Sequence, residues 1–368
     1  MSTRKKVVVG MSGGVDSSVA ACLLAEQGYE VIGITMKTWD YDMAGLGKSS
    51  KKETGCCSLE SINDARSVAV AKGFLHYTLD FREDFGEAVI EYFKEEYLHG
   101  RTPNPCVMCN TKVKWESLLQ RAELLGADYI ATGHYARVRY ENGRYKLSKG
   151  KDRNKDQSYV LWGISQQALS KTLFPLAELT KPEVRELARK FGLKVAEKSE
   201  SYEICFIPDN DYERFLKETV PDLEAKVSGG KILDESGKVL GQHRGYPFYT
   251  IGQRKGLGIT TPEPVYVTEI HYEDNTIVVG KSEALLHYGL VASQVNWIAV
   301  AELKEPICAS AKIRYKDQPE ACTISPLDNG MVEVRFDKPK RAITPGQAVV
   351  FYDGDDVLGG GFIHSVIK

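Results

Sequence analysis

Long apolar runs are missing from these 368 residues, and no stretch approaches the roughly 20 apolar residues that a membrane span needs. A surplus of charge is missing as well: 48 Lys and Arg against 50 Asp and Glu leave a formal net charge of −2, so no global attraction to a polyanion exists. A site for nucleic acid must therefore be a local patch. Cysteine is sparse, eight residues scattered through a long chain, which excludes a disulfide-stapled secreted scaffold. The opening MSTRKKVVVG has basic residues, but its apolar run is short and runs into a glycine turn without a small-residue cleavage site, so it reads as a first β-strand and not a leader. These absences predict a cytosolic protein with no membrane partner.

What is present is ordinary globular composition, with 42% hydrophobic and 27% charged residues. The length calls for two or three domains. Up to about residue 210, apolar β-like runs alternate with amphipathic helices, the pattern of a parallel sheet covered on both faces. KKVVVGM, YEVIGITMKTW, LHYTLDF and DYIATGHYARV read as strands; SSVAACLLAEQG, LESINDARSVAVAKG, residues 85–98, VKWESLLQRAELLGA and TKPEVRELARKFGL read as helices. The last has Thr180 as N-cap, Pro182 in the first turn and Gly192 to close it. Beyond residue 213, short alternating runs separated by turn pairs such as Ser236-Gly237 and Asn329-Gly330 indicate β structure. The expected division is 1–212, 213–285 and 286–368.

The turn after the first strand, SGGVDSS, is a phosphate loop by its chemistry. Gly13 and Gly14 let the backbone approach an anion, the following helix start supplies unpaired N–H groups and a positive dipole end, and the Ser12, Ser17 and Ser18 hydroxyls add donors. It is neither a Walker loop, since no lysine follows the glycines, nor a dinucleotide fingerprint, since the G-x-G-x-x-G spacing is absent. Such a loop resembles that of the ATP pyrophosphatase superfamily, which cleaves ATP between the α and β phosphates and adenylates a substrate oxygen. The resemblance implies that residues Gly10, Met11, Ser12, Gly13, Gly14, Val15, Asp16 and Ser17 hold ATP, that Asp16 acts through Mg²⁺ on the leaving pyrophosphate, and that Met36 and Gly133 present backbone to the adenine.

Three further features bear on the substrate. TPNPCVMCN places Cys106 and Cys109 three apart behind Asn104, between two prolines; as residues alone this is half a zinc site, a dithiol redox pair, or a loop in which one thiol does chemistry. A third cysteine, Cys205, lies far along the chain in SYEICFIP. ARVRYENGRYKLSKGKDRNKDQSYV reads as a β-hairpin turning at Asn142-Gly143, and its tyrosines interleaved with cations suggest RNA contact over a merely solvated surface. KIRYKD and RAITPGQAVVFY place Arg314, Tyr315 and Gln347 at strand ends or turns.

Together SGGVDS, NPCVMCN, ATGHY, KDQSY, EICFIP, GQRKGLG and PGQAVVFY resemble the bacterial and organellar tRNA-specific 2-thiouridylases, collinearly from residue 6 to nearly the end. The resemblance implies an α/β protein: an N-terminal parallel-sheet nucleotide-binding domain of the adenine nucleotide alpha hydrolase type, a small central domain and a C-terminal β-barrel. It implies adenylation of O2 of the wobble uridine, then sulfur transfer from a persulfide supplied by a cysteine desulfurase or a sulfur-relay protein. Cys109 is then the nucleophile and Cys205 the persulfide carrier, the two ending as a disulfide. Asn104, Pro105 and Cys106 would meet the target base; Lys155, Asp156, Gln157, His134, Arg314, Tyr315 and Gln347 would meet tRNA.

Many members of that family carry aspartate where this chain has Cys106, and a thiol does not do a carboxylate's work at the same pKa. A second use is open, with Cys106, Cys109 and Cys205 ligating a [4Fe–4S] cluster through three irons. His134 by itself reads equally as a packed core histidine. A structural zinc at Cys56, Cys57, Cys106 and Cys109 in a non-enzymatic RNA-binding protein leaves the phosphate loop unexplained. Among enzymes, the runner-up is another adenylating member of the superfamily, amidating or 4-thiouridine-forming, although no glutaminase domain is apparent.

Overall fold

A computed structural model describes residues 4–39, 58–199 and 204–368. Cys56 and Cys57 lie outside the described residues. The chain divides into two compact units, one made of Met1–Val89, Cys106–Asn210 and Asp355–Val357, the other of Ile90–Pro105, Asp211–Gly354 and Leu358–Lys368.

The first unit is built on a five-stranded sheet in which β1 (Lys6–Gly10), β2 (Glu30–Lys37), β3 (Leu75–Asp80), β4 (Tyr129–Ala131) and β7 (Thr172–Leu173) run parallel in the order β3-β2-β1-β4-β7. β1 is central, and its Val7, Val8 and Val9 are fully buried, as the uninterrupted apolar run requires of a strand covered on both faces. Helices α1 (Val15–Glu26) and α2 (Leu59–Lys72) follow the first two strands; Ser58 caps α2 by accepting from the Ser61 N–H, and Gly73 at φ 73° ends it. The strand order reverses between β1 and β4, so the carboxyl ends of these two strands flank a crevice, the usual ligand position of an open α/β sheet.

Two helical runs differ from the sequence expectation. α3 spans residues 82–98, as Arg82–Phe85 and Tyr92–Leu98 joined through a wider π turn at Gly86–Glu91. α4 spans residues 105–124 and begins at Pro105, so Cys106 and Cys109 lie on a helix and not on a loop. Proline is favoured at a helix's first turn, where its missing N–H has no intrahelical acceptor to lose, and this outweighs the loop reading of a two-proline segment. Cys109 opens a π-helical stretch, Cys109–Ser117, a distortion that recurs at functional sites. DYIATGHYARV is likewise two strands, β4 and β5 (Ala136–Glu141), broken at Thr132–Tyr135. β5 turns at Asn142 (φ 51°) and Gly143 (φ 80°) into β6 (Arg144–Lys149), the left-handed pair that a two-residue hairpin demands. The short α5 (Gln166–Ser170) precedes β7, and α6 (Lys181–Lys190) follows it.

In the second unit α7 (Tyr212–Thr219) packs Phe215 against Phe93 of α3, with ring centroids 5.8 Å apart, and α8 (Leu223–Val227) follows. β8 (Gly230–Asp234), β9 (Val239–His243), β10 (Tyr266–His271) and β11 (Thr276–Gly280) form a four-stranded sheet in the order β10-β11-β8-β9. β12 (Leu286–Trp297), β13 (Ile307–Lys312), β14 (Glu320–Pro326), β15 (Val332–Arg341), β16 (Ala348–Asp353) and β17 (Asp356–Ile367) run β12-β15-β14-β13-β16-β17, and β12 pairs with β17 to close a barrel. Leu290, Ile324, Val334, Val349, Phe351 and Ile363 fill it. Asp356 and Val357, which group with the first unit, pair with Ser148 and Leu147 of the β5–β6 hairpin.

Candidate active site

The phosphate loop is pre-shaped by its own side chains. Gly10 ends β1, and the Met11 N–H donates to the Ile34 carbonyl at 2.8 Å. The Ser12 N–H donates to Ser17 Oγ at 3.2 Å, and the Ser18 hydroxyl donates to the Gly14 carbonyl at 2.8 Å. Gly13, at φ 68°, comes so close to Ser61 that an added Cβ would sit 2.1 Å from its carbonyl oxygen, so only glycine fits. Gly14 occupies the N-cap of α1 with no side chain to satisfy the first-turn N–H groups. Those groups face whatever anion enters. Val15 is buried and belongs to the core. Met36 lies toward the carboxyl end of β2, paired with Leu79.

Across the crevice, Gly133 approaches the start of α1 so closely that a Cβ would meet Ser17 N at 2.6 Å and the Asp16 carbonyl carbon at 2.7 Å. The break between β4 and β5 places Gly133 against the loop. Asp16 lies in the first turn of α1. Its Oδ1 accepts from the Tyr135 hydroxyl at 2.8 Å, and both its oxygens accept from Lys181 Nζ at 2.7 Å. Neither partner was singled out by sequence reasoning. Tyr135 was in view inside ATGHY, but nothing in TKPEV marks Lys181 as a lysine whose side chain is 9% exposed.

Gln157 and Tyr135 exchange bonds: Gln157 N–H to the Tyr135 carbonyl and Tyr135 N–H to Gln157 Oε1, both 3.0 Å. Asp156 accepts from the Ser158 N–H and hydroxyl. The Lys155 N–H donates to the Asp152 carbonyl, and Asp152 Oδ2 accepts the Lys181 N–H at 2.9 Å. The segment Lys155–Asp156–Gln157 is therefore tied to both partners of Asp16.

α4 is fixed along its length. Asn110, beside Cys109, donates to the Val160 carbonyl and accepts from Lys114 Nζ. Thr111 meets Gly163, where a Cβ would lie 2.2 Å from its Oγ1. Trp115 Nε1 donates to Thr172 Oγ1, and Ser117 and Arg121 both bond Asp84. Cys109 is half-buried and Cys106 exposed. Desolvation nonetheless raises the Cys106 thiol above its usual value. Cys205 is half-buried, next to Phe206, which packs edge-on to Phe85 at 5.7 Å. None of the three is joined in a disulfide. Among the described residues no three His, Cys, Asp or Glu side chains are grouped to hold a metal.

His134 is packed among other side chains. It is 9% exposed, its Nδ1 is 2.7 Å from Thr132 Oγ1, and its ring lies 5.5 Å from Trp115 and 6.3 Å from Phe174. Burial first, then the Lys114 charge, holds it well below the usual imidazole range, hence neutral. The basic hairpin is also less free than its sequence suggests. Arg137 pairs with Glu178, Arg139 with Glu141 and Asp356, Lys146 with Glu141, Lys151 with Glu183 and Arg153 with Asp355. In the second unit, Arg314 is exposed and reaches the Arg341 carbonyl, and Tyr315 is 40% exposed. Gln347 is engaged: its Nε2 donates to the carbonyls of Thr102 at 3.2 Å and Pro103 at 2.8 Å, and the Thr102 N–H donates to the Pro345 carbonyl. The Asn104 N–H rests on the Tyr92 hydroxyl at 3.4 Å. Gln347 thus holds the residues leading to Asn104 and Pro105.

Three family models match in succession: a tRNA methyl transferase HUP domain over residues 5–209, a tRNA methyl transferase PRC-barrel domain over 213–281 and an aminomethyltransferase beta-barrel domain over 287–363. The tRNA-specific 2-thiouridylase MnmA of Cytophaga hutchinsonii is 58% identical, with all of both chains covered. That of Salinibacter ruber is 57% identical over all of this chain and 96% of the relative. That of Carboxydothermus hydrogenoformans is 52% identical over 98% of each. With such identity over nearly the whole length of each chain, the chain belongs to the tRNA-specific 2-thiouridylase family.

Proposed function

We propose that this protein is a tRNA-uridine 2-sulfurtransferase that uses ATP to replace O2 of the wobble uridine by sulfur. The observation that carries this reading is that a phosphate loop without a Walker lysine, the Cys109 helix and Cys205 belong to one compact unit of a chain related to 2-thiouridylases over its whole length. It also assigns the limits 1–212, 213–285 and 286–368 to catalytic, central and tRNA-contacting domains, and cytoplasmic work on tRNA; among the described residues no helix is long and apolar enough to cross a membrane.

Uracil O2 is a poor leaving group. It attacks the α-phosphorus of ATP, pyrophosphate departs, and the oxygen is carried away later as AMP. Gly10 to Ser17 receive the phosphates, with the α1 N–H groups facing the charge of the leaving pyrophosphate; Met36 and Gly133 border the adenine. Asp16 is a hard oxygen ligand, and three accepted bonds leave its carboxylate room for a cation. It would hold Mg²⁺, which supplies positive charge to the pyrophosphate.

The terminal sulfur of a Cys205 persulfide attacks C2 and AMP leaves, giving a uridine–S–S–Cys205 linkage. The Cys109 thiolate then attacks Cys205 Sγ, breaking the S–S bond and releasing 2-thiouridine. The two electrons that reduce the transferred sulfur come from the two cysteines, which end as a disulfide, and a thiol reductant reopens it. The persulfide comes from a cysteine desulfurase or a sulfur-relay protein. Asn104, Pro105 and Cys106 meet the flipped base, Cys106 as a neutral thiol because its pKa is raised. Lys155, Asp156 and Gln157 meet tRNA, with Arg314 and Tyr315 as exposed contacts further along the chain. His134 and Gln347 support these groups from packed positions.

Protein, ATP, Mg²⁺, a persulfide source and unmodified tRNA should yield 2-thiouridine on digestion, with AMP and pyrophosphate released. Cys109→Ser and Cys205→Ser should each abolish the product. Robust 2-thiouridine from either variant, or methylated uridine formed without ATP as the family model's description suggests, sinks the reading.

A further inference from the structure

The clamp on Asp16 is more than packing. Lys181 is the first residue of α6, and its N–H is fixed by Asp152 Oδ2, while Glu183 reaches back to the Thr180 N–H at 2.6 Å and accepts from Lys151 Nζ. The helix start is therefore held from three sides. From it, a lysine side chain 9% exposed extends to a carboxylate 30% exposed and bonds both oxygens. Tyr135 supplies the third donor from the break between β4 and β5, its own backbone locked to Gln157 in both directions. An isolated buried ammonium is costly, and a buried lysine is kept where its charge has a partner. Here the partner is a residue of the phosphate loop.

We propose that Lys181 and Tyr135 are positioning residues for the adenylation step, orienting the Asp16 carboxylate and tying it to the Lys155–Asp156–Gln157 segment. This rests on the adenylation reading given above. Lys181 neutralises Asp16 while the loop is empty, so the loop does not repel an incoming polyphosphate. With ATP bound, the three donors fix which carboxylate lone pair faces the phosphates. The same two residues contact the 155–157 segment through Asp152 and through the Tyr135 backbone. A shift of that segment by RNA is thereby transmitted to the carboxylate.

The test measures tRNA-dependent AMP release by wild type, Lys181→Met, Lys181→Arg, Tyr135→Phe, Asp16→Asn and the double variant Lys181→Met with Asp16→Asn. Lys181→Met should lower kcat at least about tenfold, the usual scale for loss of a charge-assisted bond, with tRNA binding unchanged. Lys181→Arg should recover part of the loss, and Tyr135→Phe should cost several-fold. Since Lys181 acts through Asp16, the double variant should be no slower than Asp16→Asn alone. Losses that multiply in the double variant overturn the proposal, as does wild-type kcat in Lys181→Met. Should Lys181→Met fail to fold, Tyr135→Phe decides, because it removes one hydroxyl, and an unchanged kcat there overturns the coupling. Wild-type protein that releases no AMP with tRNA overturns the adenylation reading itself, independently of these variants.

Discussion

A histidine shows what a residue's neighbours do to its charge. His134 stands in a segment that resembles a nucleotide and RNA site, yet Trp115, Phe174 and Thr132 enclose it and burial lowers its pKa. In the unfolded chain the ring has an ordinary value of about 6.5 and takes a proton below it. In the folded chain it stays neutral to lower pH, so the unfolded state binds more protons in between. Folding stability is therefore full above about pH 6.5 and falls as pH drops toward the folded value. His76 and His243, also lowered by burial, act in the same direction. Denaturant titrations at pH 7 and pH 5 should show wild type losing stability on acidification and His134→Leu losing less; an equal loss in both contradicts the assignment. What the sequence carried at this scale was residue type and order. Cys109, Cys205 and Asp16 stand out by their motifs; the pairing of Asp16 with Lys181 does not, because an ion pair across 165 residues leaves no local pattern.

The β5–β6 hairpin carries the same lesson among elements. Its turn was readable because Asn-Gly fits two left-handed positions. Its ion pairs were not readable, because the carboxylates that meet the cations of the hairpin and of the residues after it include Glu178, Glu183, Asp355 and Asp356 from elsewhere in the chain. Arg139 donates to both Asp356 oxygens and to Ser148 Oγ, and Ser148 also bonds Asp356. Arg139→Ala should lower stability by about 1–2 kcal/mol, a figure discounted for a partly exposed pair, and change tRNA affinity by less than about twofold. A large affinity loss with unchanged stability restores the RNA-contact reading of that arginine. The cysteine helix was the element misjudged. Pro105 looks like a breaker until it is seen at a first turn, where proline costs nothing.

At the level of the whole molecule, alternation of strand and helix signals a parallel sheet, and regular turn pairs signal the β-rich half; both are present. Barrel closure through β12 and β17 was not legible from spacing, since pairing between strands about 70 residues apart depends on shape and not on local pattern. The same holds for Gln347, whose amide reaches carbonyls 244 and 245 residues earlier. Gln347→Ala should destabilise the second unit's transition by about 1–2 kcal/mol. Gln347→Glu should cost more, because a carboxylate has no N–H to give those carbonyls. Thermal unfolding followed by Trp297 fluorescence, with the other tryptophans replaced, would check both; equal midpoints in all three proteins would refute the latch.

That latch also orders events during synthesis. A nascent chain can shape its phosphate loop once β4 has emerged, but Thr102 and Pro103 lack these bonds until translation passes residue 347. The segment that leads to Cys109 is thus completed only after residue 347, so a product terminated before that point retains the loop of residues 12–18 without these bonds.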